Sequence, residues 1–186
     1  MKALRALINP VVAAFLAASL AFSLPAHADS AKLDQLFKQL KATDAAGAPE
    51  ITREIWAEWS KSGSPAMDLL LKRGEDATAA GDYATAIGHF TAIIDHAPKF
   101  AEAWNERAIA YFKEGQIGPA VDDIQHVLAL NPRHFGALAG LGAIFEELGE
   151  PQKALEVYKA ALAINPHMTD VQAAVKRLSK AKGQDL

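Results

Sequence analysis

An all-α, right-handed solenoid of antiparallel helix hairpins is the fold class this chain predicts. Three observations carry the prediction. A period of 34 residues recurs three times without a gap from Met67 to Met168, small and large residues alternate at places that would face each other in a hairpin, and apolar stripes at helical spacing flank the repeated block.

The repeats run from Met67 to Phe100, Ala101 to His134 and Phe135 to Met168. Place 4 holds Leu70, Trp104 and Leu138; place 8 holds Gly74, Ala108 and Gly142; place 15 holds Gly81, Gly115 and Gly149. Place 20 is Ala86, Ala120 and Ala154, place 24 is Phe90, Ile124 and Tyr158, and place 32 is Pro98, Pro132 and Pro166. In two antiparallel helices facing places have a constant sum. Small residues at 8 and 20 then meet where the backbones approach, and large ones at 4 and 24 meet where the space is wider. Glycine at place 15 suits a left-handed residue ending the first helix, and proline at 32 stops the second. Arg107 at place 7 and Asp123 at place 23 fall within one turn of the facing pairs, which predicts a structural ion pair. Arg73 and His89 stand at the matching places of the first repeat, so no carboxylate faces the arginine there.

These residues together resemble the tetratricopeptide repeat, over 102 contiguous residues. Departures include Ala77 at place 11 of the first repeat and Arg73 and Arg107 at place 7. The resemblance implies a concave groove lined by places 2, 5, 9, 12 and 13 of each first helix, which cradles a protein or peptide partner. Carried over, these are Asp68, Leu71, Glu75, Thr78 and Ala79; Glu102, Asn105, Ile109, Phe112 and Lys113; Gly136, Ala139, Ala143, Glu146 and Glu147. Five acids against one base imply a basic or amphipathic segment as ligand, although acids on a helix also serve simply to solvate it. The carboxylate clamp of chaperone-tail binders is absent, because its places hold Leu71, Glu75, Glu106, Gly136 and Gly140.

Upstream of the repeats, residues 29–66 read as a further hairpin. Leu33, Leu36, Phe37 and Leu40 form one stripe and Ile51, Ile55, Trp56 and Trp59 another. Set in the repeat frame, Gly47 falls at place 15 and Trp56 at place 24, with bulky Leu40 where a small residue is wanted. The expectation is a degenerate repeat that closes the open end of the stack. Trp56 and Trp59 would then be core against the next hairpin, or else an exposed aromatic site. Downstream, residues 169–186 read as a capping helix with a single apolar stripe of Val171, Val175 and Leu178, opened by a capping box at Thr169-Asp170-Val171-Gln172.

Composition narrows the function. Of the 186 residues 51% are hydrophobic and 22% charged, the net charge is -3, and no Lys/Arg run exceeds two, which lacks the footprint of nucleic-acid binding. There is no nucleophile beside a His and an acid, no phosphate loop and no His-Glu-x-x-His pair, so the expectation is a non-enzymatic protein without metal or cofactor. The histidines at 89, 96, 126, 134 and 167 occupy five different places and read as structural or solvated. Two functional readings follow: an adaptor or assembly factor that binds a polypeptide segment in its groove, and a scaffold that associates through its N-terminal hairpin or convex face.

The first 28 residues have the order of a cleavable signal peptide, with Lys2 and Arg5, an apolar run from Val11 to Leu24, and Ala26-His27-Ala28. The run is shorter than the roughly 20 residues that span a bilayer. The chain contains no cysteine to accept lipid. The expected location is the periplasm, with release into the medium as the alternative, in a form not inserted in the membrane. Loss of Lys2 and Arg5 would take the net charge from -3 to -5. The intact mass of protein purified from its native host is expected to correspond to a chain starting at Asp29, and recovery of the full-length mass would contradict the signal.

Overall fold

The computed structural model describes residues 24–182, with side-chain surroundings described from 31 to 180; the proposed signal peptide lies, up to residue 23, outside the described residues. Among these residues the chain is helical throughout, in nine elements: α1 Leu24–Ala42, α2 Ala48–Trp59, α3 Pro65–Ala79, α4 Tyr83–His96, α5 Ala101–Lys113, α6 Ile117–Leu130, α7 Phe135–Glu147, α8 Pro151–Ile164 and α9 Thr169–Lys182. The punctuation explains the breaks. Gly81, Gly115 and Gly149 have φ of +79°, +81° and +72°, the left-handed conformation that reverses the chain after α3, α5 and α7. Each second helix ends immediately before a short segment containing Pro98, Pro132 or Pro166.

Within each repeat the two helices interlock through one notch. A Cβ added at Gly74 would lie 2.3 Å from the Phe90 ring, and one at Gly142 would lie 2.4 Å from the Tyr158 ring. The glycine of place 8 therefore makes room for the aromatic ring of place 24, beyond the small partner expected at place 20. The second repeat supports this reading from inside the same chain. There Ala108 fills place 8 and Ile124, without a ring, fills place 24; both are buried.

The ion pair expected between α5 and α6 is formed. Arg107 donates from Nε to Asp123 Oδ2 and from Nη2 to Asp123 Oδ1, both at 2.8 Å, and from Nη1 to Thr91 Oγ1 of the preceding repeat at 2.9 Å. Its guanidinium also lies 5.0 Å from the centre of the Trp104 ring. The bidentate fork holds Arg107 firmly in its charged form, and the pair fastens repeat 1 to repeat 2 as well as α5 to α6.

The N-terminal hairpin departs from expectation. Leu36, Phe37, Leu40, Ala48 and Ile55 form its core together with Phe135 of α7, and Ile164 and Met168 pack on the same cluster. The hairpin thus lies on the third repeat and not on the first, and Trp56 and Trp59 are half-buried against Phe135 and His134. Gly47 does not take the left-handed role of place 15 either, having φ of -81°. Leu40, at the place where the repeats carry a small residue, is fully buried in this cluster. At the other end α9 covers the last repeat as expected, with Val171, Ala174 and Leu178 buried on Ala154, Leu155, Tyr158 and Ala161. Its first turn is built differently from a capping box, for Gln172 donates from Nε2 to the Pro166 carbonyl at 2.6 Å.

The notch gives a test with opposite signs at two glycines. Gly142→Ala gains up to about 1 kcal/mol of helix propensity. It also drives a methyl into Tyr158, and overpacking of that kind costs about 1–3 kcal/mol, so net destabilisation is expected. Gly88→Ala in α4, where an added Cβ meets nothing within 4 Å, is expected to stabilise by about 0.5–1 kcal/mol. Urea midpoints on opposite sides of the wild type are the result that supports the notch.

Candidate functional site: an acidic groove and its apolar slot

The first helices of the repeats, α3, α5 and α7, present the places expected to line the groove. At its centre α5 contributes Glu102 and Asn105, both buried despite their polarity. Burial of such groups requires partners. Asn105 Nδ2 donates to Glu102 Oε1 and to Glu106 Oε1, each at 3.2 Å. His134 Nδ1 accepts the Ala137 N–H at 2.9 Å as the N-cap of α7. That leaves the proton of neutral His134 on Nε2, which lies 3.2 Å from Glu102 Oε2 and donates to it.

Glu106 was not among the residues expected from the groove places, yet it is the most perturbed carboxyl here. Burial, then the charges of Glu102 and Glu75, push it up to about 8, and a hydrogen bond with Glu102 adds to the effect. Glu75 on α3 is raised in the same sense by its own burial. Three carboxyls from adjacent helices thus share one region, and Glu106 is protonated at neutral pH. The signal for this was present in the sequence, since Glu102 and Glu106 are spaced i,i+4 and stand one turn apart on the same face.

Beside the acids lies an apolar slot of about 40 Å³, lined by Asn105, Ile109, Phe112, Gly136, Gly140 and Ile144 among others. Ile109 and Phe112 are half-buried, so their outer surfaces remain accessible. Further along, Ala139 lines a larger cleft of about 750 Å³ between α2 and the third repeat, whose opposite wall includes Pro49, Thr52 and Trp56.

The remaining expected residues separate from this centre. Leu71 is buried in the core of the first repeat with Phe90 and Ile93. Asp68 is exposed and accepts hydrogen bonds from the backbone N–H and hydroxyl of Ser62, 3.0 and 2.5 Å away, in the segment that joins the N-terminal hairpin to α3. Glu146 is engaged within the chain, accepting from the Tyr158 hydroxyl at 2.9 Å and pairing with Arg177 of α9 at 2.6 Å. Ala143 is half-buried, while Lys113 and Glu147 are exposed at the ends of α5 and α7. Among the described residues no group of three His, Cys, Asp or Glu side chains is arranged to hold a metal ion.

Known proteins resemble this chain in sequence and fold. The tetratricopeptide repeat description matches residues 71–120 and 136–168. A TPR repeat-containing protein of Rhizobium etli is 37% identical over 150 residues, covering 80% of this chain and 74% of its own length. The chain belongs to the tetratricopeptide repeat family. This tetratricopeptide protein is also 27% identical to Hsp70-Hsp90 organizing protein 1 of Glycine max over 63% of its length, although that match spans only 21% of the plant protein. Among solved structures, the first TPR of Spaghetti (RPAP3) bound to the HSP90 peptide SRMEEVD superposes with a TM-score of 0.59 at 25% identity, over 63% of this chain and 93% of that one. MamA superposes with a TM-score of 0.59 at 24% identity, over 78% of this chain and 83% of that one, a likeness of fold.

The raised Glu106 makes stability depend on pH. Its carboxyl titrates near 8 in the folded protein against an ordinary 4.5, so its favourable contribution is complete below pH 4.5 and is lost as the pH rises through 8. Glu106→Gln removes that loss. Relative to wild type the variant is expected to be more stable at pH 9 than at pH 5, by on the order of 2 kcal/mol after allowance for partial solvent access. Urea unfolding at the two pH values checks this, and a difference independent of pH would contradict the placement of Glu106.

Proposed function

We propose that this protein is a non-catalytic interaction module of the periplasm, an adaptor or assembly factor of the cell envelope that holds a basic, amphipathic polypeptide segment in its concave groove. The observation that carries the reading is the convergence of Glu75, Glu102 and Glu106 beside the slot of Ile109 and Phe112. Acids next to an accessible apolar slot suit a ligand with Lys or Arg beside Leu- or Phe-like side chains. The signal-like order of residues 1–28 supports the compartment. Spaghetti's first TPR binds a peptide ending in Glu-Glu-Val-Asp; here Glu75 and Glu106 stand at clamp places, which favours a ligand of the opposite charge.

Each part of the site has a distinct effect on such a ligand. Exposed charges steer the approach and weaken with salt, over a Debye length of about 8 Å at physiological strength. Phe112 supplies the desolvated anchor. Glu106, neutral at pH 7, ionises when a cation is placed against it, so binding releases a proton and tightens as the pH rises towards 8.

A synthetic amphipathic helix of leucine and lysine serves as the probe, measured by surface binding kinetics at two salt concentrations and from pH 6 to 8. Phe112→Ala is expected to weaken affinity by about 30-fold, chiefly through faster dissociation. Glu75→Gln with Glu106→Gln is expected to slow association and to abolish the rise of affinity with pH. If neither variant alters binding, the groove is not the binding site.

A further inference from the structure

The N-terminal hairpin occupies ground that a ligand of the groove would need. Arg133 and His167 stand at the same place, 33, of successive repeats, and both hold α1. Arg133 Nη1 donates to Asp34 Oδ1 at 2.6 Å and its guanidinium lies 4.4 Å from the centre of the Phe37 ring, while His167 Nε2 donates to the Leu40 carbonyl at 3.0 Å. From α2, Trp56 reaches over Gly136, a groove place, so closely that a Cβ there would meet its ring at 2.5 Å. Trp59 stacks on His134 at 4.4 Å, above the hydrogen bond from His134 to Glu102. The hairpin therefore covers the third-repeat end of the groove and presses on the acidic centre.

This seat differs from the other junctions of the chain. Helices α1 and α2 pack on each other more extensively than on any repeat helix. The joining segment after α2 is Ser60-Lys61-Ser62-Gly63-Ser64, short and polar. The interface leaves the 750 Å³ cleft between α2 and the third repeat, lined by Trp56, Phe135 and Ala139 among others, against about 40 Å³ in the slot between the second and third repeats. The ion pair Arg133–Asp34 is largely exposed, with 45% and 65% of the two side chains accessible, and so contributes little holding strength.

We propose that the hairpin is the groove's built-in occupant, seated on the third repeat when no partner is bound and displaced as a unit when an amphipathic segment enters the groove. This rests on the groove reading above and adds its regulation: apparent affinity is reduced by the fraction of molecules whose groove is closed. The aromatic character of the seat also states what a displacing segment must bring, namely aromatic or large aliphatic side chains to replace Trp56 and Trp59 on Phe135.

The test uses the full chain and a variant that leaves the hairpin's own residues and the slot lining intact. Arg133→Ala combined with His167→Ala removes the contacts of both side chains to α1. Trp59→Ala is the second variant, acting from the hairpin side. Amide hydrogen exchange of residues 31–59 reports release without any ligand, and residues 67–168 act as the folded reference. Expected are faster exchange confined to the hairpin in both variants, affinity for the leucine-lysine probe raised about tenfold, and loss of hairpin protection in wild type saturated with probe. Two results overturn the proposal alone: a released hairpin with unchanged probe affinity, or probe binding to wild type through Phe112 while the hairpin stays protected. Failure of the probe to bind wild type and both released variants removes the groove reading, and this proposal with it.

Discussion

Two helices can lie close enough to form a repeat only where one surrenders its side chain to the other, and that exchange sets the rest of this structure. Gly74 receives Phe90 and Gly142 receives Tyr158, while Ala108 is matched by the shorter Ile124. Once the spacing within a hairpin is set, the next hairpin must cover the apolar surface left outside, and the stack grows by repetition. Arg107 extends the same logic between repeats, since its five donors let it bind Asp123 in its own hairpin and Thr91 in the previous one.

The groove follows from stacking first helices side by side. Bringing α3 and α5 together brings Glu75 towards Glu102 and Glu106, three groups that repel when charged. The fold tolerates them because Asn105 and His134 supply donors and because Glu106 keeps its proton. A cluster held in this way is ready to release a proton to solvent when a cation is placed against it, which is the chemical basis of the proposed preference for a basic segment. Tyr158 shows the other use of an acid in this chain. Its hydroxyl donates to Glu146, burial and that bond raise its pKa, and Arg177 neutralises the carboxylate, so the last repeat and α9 are locked.

Legibility in the sequence tracked the distance over which each contact acts. The 34-residue period, the left-handed glycines and the Arg107–Asp123 pair all involve residues within one or two hairpins, where the repeat frame sets the facing places. The seat of the N-terminal hairpin depends on pairs 99 and 127 residues apart, Arg133 with Asp34 and His167 with Leu40, for which no period exists to read. Trp56 and Trp59 were legible as packed residues, but their partner was not, because an aromatic stripe fits any apolar surface of suitable shape. Gly47 misled because a glycine in the right column of an alignment need not have a positive φ. Within the groove, Glu102 and Glu75 were found by place and Glu106 was passed over at place 6, although helical spacing alone joined it to Glu102.

The crossing from the N-terminus to the third repeat also imposes an order of events on synthesis. The hairpin emerges first, carrying Phe37, Trp56 and Trp59, and its seat at His134 and Phe135 does not yet exist. Each repeat can fold on its predecessor as it appears, yet the hairpin has to wait until the chain has extended beyond Met168 before its aromatic face is covered. During that interval the nascent protein displays a greasy surface that its finished form conceals, the condition under which chains aggregate or recruit chaperones. In a solenoid made only of neighbours each hairpin is covered by the next; here the cover of the first hairpin is supplied by the third repeat.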